Sequence, residues 1–264
     1  MAADGTVRAD RSGPVEGAPR TARARARMEL TREIVDTARA HVAEHGAAEL
    51  SLRAVARDLG MVSSAVYRYF PSRDELLTAL IIETYDTIGE LAEGTHTRSI
   101  EAGDDHGHRW LTVCRSVRSW AIDHPREWAL VYGSPIVGYA APQETIEPAG
   151  RIGRVLAAIA RDALDAGVLT PPVLPGAVPR LATDGVLEVI GGRPPAPFGD
   201  LGERMLGMWV MLVGAINFEL FGHLNNVVTD HAGYFDTAMA QAAGMIGLDV
   251  AAPRPARSRV SRRG

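Results

Sequence analysis

Apolar residues recur at helical spacing from about residue 28 onward. Leu30, Ile34, Ala38 and Val42 repeat every four residues and would share one face of a first helix. Gly46 would end that helix, because glycine adopts the left-handed conformation common at helix C-termini. No stretch sustains the alternating pattern of a β-strand over more than a few residues. The pattern therefore predicts a chain of helices joined by loops.

Two short helices and a longer one are predicted next. Ser51 is a typical N-cap for a second helix over about 52–59, and a third is predicted over about 63–70, where Pro71 stops it. The segment "SRDE", which begins at Ser72, has the S-x-x-E form of a capping box and opens a fourth helix. The apolar positions of this fourth helix are Leu76, Leu77, Leu80, Ile81 and Ile88.

Helical patterns also cover most of the second half. Beyond the segment from Gly94 to Gly107, one apolar stripe comprises Trp110, Val113, Cys114, Val117 and Ala121, and "DHPREW" interrupts it. Further helical patterns cover about 144–166, 177–190, 200–224 and 231–247. We predict an all-α protein, in which a small N-terminal three-helix unit with a helix-turn-helix precedes a larger C-terminal helical bundle.

Charge divides the chain into segments. All 28 basic side chains are Arg; residues 1–73 hold 12 of them against 9 acids, residues 74–250 hold 11 against 23, and residues 251–264 hold 5 against none. The charge of the acidic middle is unlike that of a nucleic-acid-binding surface, whereas the front of the chain could bind a nucleic acid. We predict a disordered basic arm over 1–27, the helix-turn-helix unit over 28–73, the larger domain over the acidic segment and a disordered basic tail over 251–264.

Several classes of protein are disfavoured by the sequence. No apolar run approaches the roughly 20 residues of a membrane span, and the charged N-terminus is unlike a secretory signal, so we expect a cytoplasmic protein without a membrane partner. Cys114, the single cysteine, excludes an internal disulfide and is interpreted as a buried core residue. The acids of "DDHGH" (residues 104–108) suit a helix N-terminus, and we predict no metal site. No catalytic motif or cofactor is predicted.

The predicted helix-turn-helix has more polar side chains than its packing requires. Val55, Leu59, Met61 and Val66 would fill the wedge between the two helices, with Gly60 at the turn. The outward positions carry hydroxyl and guanidinium groups, which suit DNA phosphates and base edges. These residues are Arg53, Ser63, Ser64, Tyr67 and Arg68. A solvated helical hairpin is the alternative interpretation.

The residues around this motif decide between the two interpretations. The segment "LTREIVDTARAHVAEHGAAELSLRAVARDLGMVSSAVYRYFPSRDELL", residues 30–77, closely resembles the N-terminal DNA-binding domain of the tetracycline-repressor (TetR) family of transcriptional regulators. The stretch "SWAIDHPREWALVYGSPIVGY" with "ELFGHL" resembles a C-terminal subgroup frequent in high-GC bacteria. The resemblance implies a helix-turn-helix that contacts DNA through Ser51, Arg53, Ser63, Ser64, Tyr67, Arg68, Tyr69 and Arg73. The chain departs from the family pattern at Val62 and Ser64.

The resemblance also implies a small-molecule cavity and a dimer. Candidates to line an apolar cavity are Trp110, Cys114, Val117, Trp128, Tyr132, Met205, Met208 and Trp209. Such aromatic and Met stripes also occur in ordinary cores. Residues 201–221 are apolar on most faces, and the last helix carries a second stripe, so that two copies could pair as a four-helix interface.

We therefore expect a homodimeric, non-enzymatic repressor that binds a palindromic double-stranded operator and is released by a small apolar or weakly polar effector. It would be associated with the nucleoid when bound to DNA. An activator or global regulator of the same fold is one alternative; an all-α ligand carrier or enzyme with a vestigial helix-turn-helix is another. The four Arg within 20–27 could add contacts to phosphates or to the minor groove, or could form a solubilising tail.

Overall fold

The computed structural model describes residues 18–171 and 179–250. In these ranges the chain forms eleven α-helices and no β-strand, which confirms the predicted all-α class. The helices are α1 (Ala18–His45), α2 (Leu52–Asp58), α3 (Ser63–Val66), α4 (Arg73–Glu101), α5 (His106–Asp123), α6 (Pro125–Tyr132), α7 (Ile146–Ala149), α8 (Arg151–Asp165), α9 (Asp184–Val189), α10 (Leu201–Leu220) and α11 (His231–Met245). None of these helices combines the length and apolar character needed to cross a bilayer.

The described residues enclose two separate hydrophobic cores. The first lies among α1, α2, α3 and the first turns of α4, with Ile34, Val55 and Leu76 fully buried; we call this unit the head. The second lies among the rest of α4 and the helices from α5 to α11, which we call the C-terminal bundle. Because α4 supplies Leu76 to the first core and Ile88 to the second, this one 29-residue helix spans both units.

Local capping chemistry places the helix starts that the sequence predicted. The Ser51 hydroxyl accepts a hydrogen bond from the Ala54 amide at 3.2 Å, and the Ser72 hydroxyl accepts one from Glu75 at 3.1 Å. Asp105 caps α5 by accepting from the His108 amide at 2.7 Å, which fits an acid at a helix N-terminus. These side chains satisfy amides that have no partner within the helix.

Five helix boundaries differ from the predictions. The tenth helix ends at Leu220, four residues before its predicted end at about 224. The first helix begins at Ala18, so residues 18–27 of the expected disordered arm are helical; residues 1–17 and the tail 251–264 lie outside the described residues. The fourth helix continues through Gly94 to Glu101. The third ends at Val66, after which the chain runs in turns to Phe70. The ninth begins at Asp184, and the first two residues of its predicted range lie outside the described residues.

Candidate functional site

The helix-turn-helix is closed by a glycine and by backbone hydrogen bonds. Gly60 has φ +66°, the left-handed conformation that the sequence predicts for the turn. The Met61 amide donates to the Ala56 carbonyl at 2.8 Å, which folds the turn back onto α2. Val55 and Ala56 are buried beneath this turn. The packing therefore accounts for the apolar positions of the motif and leaves its polar side chains outside.

Several polar side chains of the head have no partner within the described chain. Arg53 on α2, Ser64 on α3, and Tyr67 and Arg68 in the following turn are exposed, and none makes a side-chain hydrogen bond or ion pair there. Long side chains such as Arg and Tyr usually find a partner when they are structural. These four donors are available to a molecule outside the chain, and hydroxyl and guanidinium groups are suited to DNA.

The start of α3 combines an apolar and a polar residue. Val62 occupies the N-cap position, makes no side-chain cap hydrogen bond and is 71% exposed. Ser63, the next residue, is half-buried. Of the predicted contact residues near this point, Ser64 is therefore more accessible than Ser63.

Two predicted DNA contacts, Arg73 and Tyr69, have partners inside the protein. The Arg73 side chain donates to the carbonyls of Leu50 at 3.0 Å and Ala47 at 2.9 Å, and so holds the loop that joins α1 to α2. The resemblance implies that Arg73 contacts DNA, which stays a prediction; these hydrogen bonds also give it a positioning role within the head. Tyr69 is half-buried against the head core, and the guanidinium of Arg27 lies 5.0 Å from the centre of its ring. The Arg-rich start of α1 therefore lies close to the helix-turn-helix.

A cavity of about 400 Å³ lies in the C-terminal bundle, among α4, α6, α8, α9 and α10. Four of the predicted lining residues are in its wall: Tyr132, Met205, Met208 and Trp209. The apolar stripes of the sequence did not indicate the other lining residues, which are Tyr85, Ala149, Gly150, Gly153, Ala157, Val186, Val189, Ile190 and Leu206. The glycines in "GRIGRV" were the available signal, since glycine is unfavourable within a helix unless space or backbone conformation requires it.

The other four predicted lining residues are core residues. Trp110, Cys114, Val117 and Trp128 are fully buried and do not line this cavity. The Trp110 indole N–H donates to the Met239 carbonyl at 3.1 Å, which fixes the ring against α11. Burial raises the pKa of the Cys114 thiol, so this side chain stays protonated and acts as a small apolar residue.

Tyr132, the last residue of α6, is surrounded by aromatic rings. Its ring centre lies 4.4 Å from that of Trp128, 5.8 Å from that of Tyr85 and 5.9 Å from that of Trp209. Asn217 of α10 ties this corner together, because it accepts from the Trp128 indole N–H at 2.7 Å and donates to the Tyr132 carbonyl at 3.0 Å. One amide thus connects α10 to the end of α6.

The chain that follows Tyr132 leads directly to the head. Ile136 and Tyr139 pack against the head core. The Tyr139 hydroxyl lies 2.9 Å from the Thr78 hydroxyl on α4 and forms a hydrogen bond with it. The cavity is therefore joined to the head both by α4, which carries Tyr85, and by the loop after α6.

The last two long helices expose an apolar surface. On α10, Val210 is 69% exposed and Phe218 is 55% exposed, and on α11 Tyr234 is 45% exposed. Gly214 and Gly244 lie on the same helices, and a β-carbon at either position would meet no atom within 4 Å. Nothing within the described chain therefore requires these glycines, and the exposed apolar side chains form a surface on which only Phe218 has a ring partner in the described chain, His223, at 5.1 Å between ring centres.

Two family profiles match the chain, one ending within the first turns of α4 and the other beginning in α5. The profile described as "Bacterial regulatory proteins, tetR family" matches residues 34–80, and the profile described as "Tetracyclin repressor-like, C-terminal domain" matches residues 110–242. The first match covers the head from residue 34 onward. The second covers the wall of the cavity except for Tyr85, and also the exposed surface of α10 and most of α11.

Curated relatives and solved structures agree with these profiles. The HTH-type transcriptional regulators Rv1816 of Mycobacterium tuberculosis and Mb1846 of Mycobacterium bovis are each 38% identical to this chain over 220 residues, which is 80% of this chain and 89% of theirs. The crystal structure of the regulatory protein SCO4313 covers 84% of this chain and 98% of its own, with 29% identity and a TM-score of 0.61. The structure of RolR in complex with resorcinol covers 87% and 92%, with 17% identity and a TM-score of 0.51, and so shares the fold.

Proposed function

Because the chain belongs to the tetracycline-repressor (TetR) family of transcriptional regulators, we propose that it is a homodimeric repressor that a small effector releases from a palindromic operator. The operator would be contacted by α2 and α3, and the effector would bind in the 400 Å³ cavity. A protein with this function would lie in the cytoplasm and would be associated with the nucleoid when bound to DNA.

The observation that carries the DNA-binding role is the set of unpaired donors on the head. Arg53, Ser64, Tyr67 and Arg68 are exposed together on one helix-turn-helix without internal partners in the described chain. Arg can contact guanine with two hydrogen bonds in the major groove, and hydroxyl groups can donate to phosphate oxygens. A vestigial head in a carrier or an enzyme would not need these donors.

A gel shift with the DNA that flanks the gene of this protein tests the role. We expect the wild-type protein to shift this DNA and the double variant Arg53→Ala, Tyr67→Ala to fail, since each base-reading pair contributes about 1–3 kcal/mol. Arg154→Ala removes an equal charge from the surface of α8 and should bind like the wild type. Equal binding by the double variant would refute this use of the head, and a transcription assay with the same DNA separates repression from activation.

A second copy of the chain is the proposed partner for the exposed surface of α10 and α11. Val210 and Phe218 of α10 and Tyr234 of α11 are apolar and exposed. Gly214 and Gly244 would let two copies approach closely, as in a four-helix interface around a two-fold axis. Phe218→Arg would place a charge in that interface, so light scattering at micromolar concentration should give a dimer for the wild type and a monomer for the variant. A monomeric wild type would contradict the proposal.

Release by an effector requires that binding in the cavity favour a different head position. The ligand can shift this equilibrium only by the difference in its affinity for the two states. Two connections support such a link: α4, which carries Tyr85 in the cavity wall and Leu76 in the head core, and the loop that brings Tyr139 to Thr78. RolR, which shares the fold, has been crystallised with the small phenol resorcinol, and this supports a small-molecule effector.

A further inference from the structure

The wall of the cavity selects against charged ligands. No Arg, Asp, Glu or His is among the described residues that line it, and Tyr85 and Tyr132 are the only lining residues that carry a side-chain oxygen. An ion that enters an apolar site without a partner loses its hydration and gains no compensating interaction. The wall therefore suits an uncharged molecule.

The hydroxyls of these two tyrosines are not equivalent. The Tyr85 hydroxyl donates to the Val131 carbonyl at 3.3 Å. The Tyr132 hydroxyl is shielded from solvent and has no hydrogen-bond partner in the described part of the chain. Burial raises the pKa of Tyr132, so its phenol stays neutral and remains a donor. A buried unpaired hydroxyl is uncommon in proteins, and a bound molecule could supply the missing partner.

The first turns of α8 leave room beside these rings. A β-carbon at Gly153 would meet no atom within 4 Å, so packing within the chain does not explain the glycine. A larger side chain there would occupy the cavity instead. The volume of about 400 Å³ can be compared with an apolar cavity of about 150 Å³ that holds one benzene molecule. Two or three ring-sized units would fit.

We propose, resting on the effector role described above, that the cavity binds an uncharged ring compound of two or three ring-sized units whose single oxygen accepts a hydrogen bond from Tyr132. Trp209 and Tyr85 would contact the faces and edges of its rings. Because the Tyr132 hydroxyl is shielded in this structure, the surrounding rings would have to shift for it to reach the ligand.

Equilibrium dialysis of the full-length protein with three probes of one carbon skeleton tests the proposal. Naphthalene is uncharged without oxygen, 2-naphthol adds one hydroxyl, and 2-naphthoate adds a negative charge. We expect 2-naphthol to bind roughly five- to tenfold more tightly than naphthalene, as one net hydrogen bond provides. We expect 2-naphthoate to bind most weakly of the three.

Matched variants assign the effect to one hydroxyl. Tyr132→Phe should reduce the affinity for 2-naphthol to that for naphthalene, Tyr85→Phe should keep the difference, and Gly153→Leu should abolish binding of all three by filling the cavity. The proposal would be overturned if 2-naphthoate bound most tightly of the three, or if Tyr132→Phe kept the preference for 2-naphthol over naphthalene. It would also be overturned if no probe bound to the wild type at 1 mM, roughly the weakest range of specific affinity. Operator binding by the unliganded protein tests the proposed function separately, because it requires no ligand.

An exposed apolar side chain lies on the head, beside the predicted DNA contacts. Val62 is 71% exposed at the start of α3, where it neither caps the helix nor fills the core. The one apolar group that a base presents in the major groove is the C5-methyl of thymine. We infer that Val62 contacts a thymine methyl in each half of the operator, next to the donors of Ser64 and Tyr67.

Removal of single methyl groups tests this contact. An operator would first be selected from a randomised palindromic library, and each thymine would then be replaced by deoxyuridine, which lacks only the methyl. We expect one thymine position, the same in both half-sites, to be sensitive to this replacement. Loss of its methyl should weaken binding by about fourfold per half-site, which corresponds to the free energy of burying one methyl group. The same replacement should have no effect on Val62→Ala, whereas Val137→Ala, a loop variant, should respond like the wild type. Sensitivity that persists in Val62→Ala, or the absence of any methyl-sensitive thymine, would overturn the inference, while failure to select any operator would count against the proposed function.

Discussion

Replacing Asn217 with Ala should destabilise the C-terminal bundle by about 1.5–3.5 kcal/mol. The change leaves the Trp128 indole N–H buried without its acceptor, which costs about 1–3 kcal/mol. It also removes the donor to the Tyr132 carbonyl, worth about 1 kcal/mol in a partly exposed position. Alanine offsets about 0.6 kcal/mol of this loss through its higher helix propensity.

Urea denaturation followed by circular dichroism at one protomer concentration measures this effect. Asn225→Ala is the matched control, because Asn225 is exposed just beyond α10 and should change the free energy of unfolding by less than about 0.5 kcal/mol. The double variant Trp128→Phe, Asn217→Ala should be less destabilised than the sum of its single variants, with a coupling energy of about 0.5–3 kcal/mol. Additive variants, or a loss below about 0.5 kcal/mol for Asn217→Ala, would refute the bridging role of Asn217.

Three further changes test other parts of the molecule. Arg151 of α8 donates to the carboxylates of Asp86 and Glu93 on α4, each at 2.7 Å. Gly89→Ala would place a β-carbon 2.7 Å from atoms of the Arg151 side chain and displace it from these acids, so thermal unfolding should report a loss of about 1–3 kcal/mol. The hydrogen bond from Arg193 lowers the pKa of Glu203 to about 2. The pair therefore stabilises the fold fully at pH values above about 4.3, the ordinary pKa of Glu, and loses this contribution as the pH falls toward 2. Glu203→Gln should then reduce the decrease in the urea midpoint between pH 5 and pH 3. Deletion of residues 1–27 should make the affinity for operator DNA less dependent on salt concentration. The slope of log affinity against log salt concentration should become shallower by about 0.9 for each DNA phosphate that the shortened protein no longer neutralises.

Each of these changes has a control within the chain. Gly153→Ala adds a methyl in open space on a helix and should not destabilise the fold. Glu188→Gln alters an exposed carboxylate that forms no ion pair in the described chain and should leave the acid limb unchanged. Deletion of residues 1–17 alone keeps Arg23, Arg25 and Arg27 on α1, so a slope that changes equally in both deletions would place the contacts before α1 rather than on it.

Short-range chemistry was the part of the fold that the sequence predicted best. The caps at Ser51 and Ser72 and the left-handed turn at Gly60 each depend on residues within a few positions of one another, so their patterns are visible in the sequence. The predicted start of α1 was wrong because a segment of Arg and Ala without apolar periodicity resembles a disordered tail. Both residues are among the strong helix formers, and Pro19 suits the first turn of a helix.

Side-chain partners that are distant in sequence were the least predictable. Arg73 lies 23 residues beyond Leu50, whose carbonyl accepts a hydrogen bond from it, and no local sequence pattern predicts that hydrogen bond. The same limit applies to the cavity. The stripe of Trp110, Cys114 and Val117 predicts a buried face of α5, but only the packing of α4, α8, α10 and α11 around that helix determines that the face is core and not cavity.

The position of Tyr132 suggests why a weak contact in the cavity could matter at the head. Tyr132 is the last residue of α6, and its carbonyl accepts a hydrogen bond from Asn217. Seven residues later, the Tyr139 hydroxyl forms a hydrogen bond with the Thr78 hydroxyl on α4. A ligand that draws the Tyr132 ring into the cavity would pull on a short segment whose other end is fixed to the head. A shift of that end would act on α4 at Thr78, only five residues from Arg73, the residue that holds the loop leading into α2. The effector response would then depend on the stiffness of this segment as well as on α4, because both connections must move together for the head to change its position.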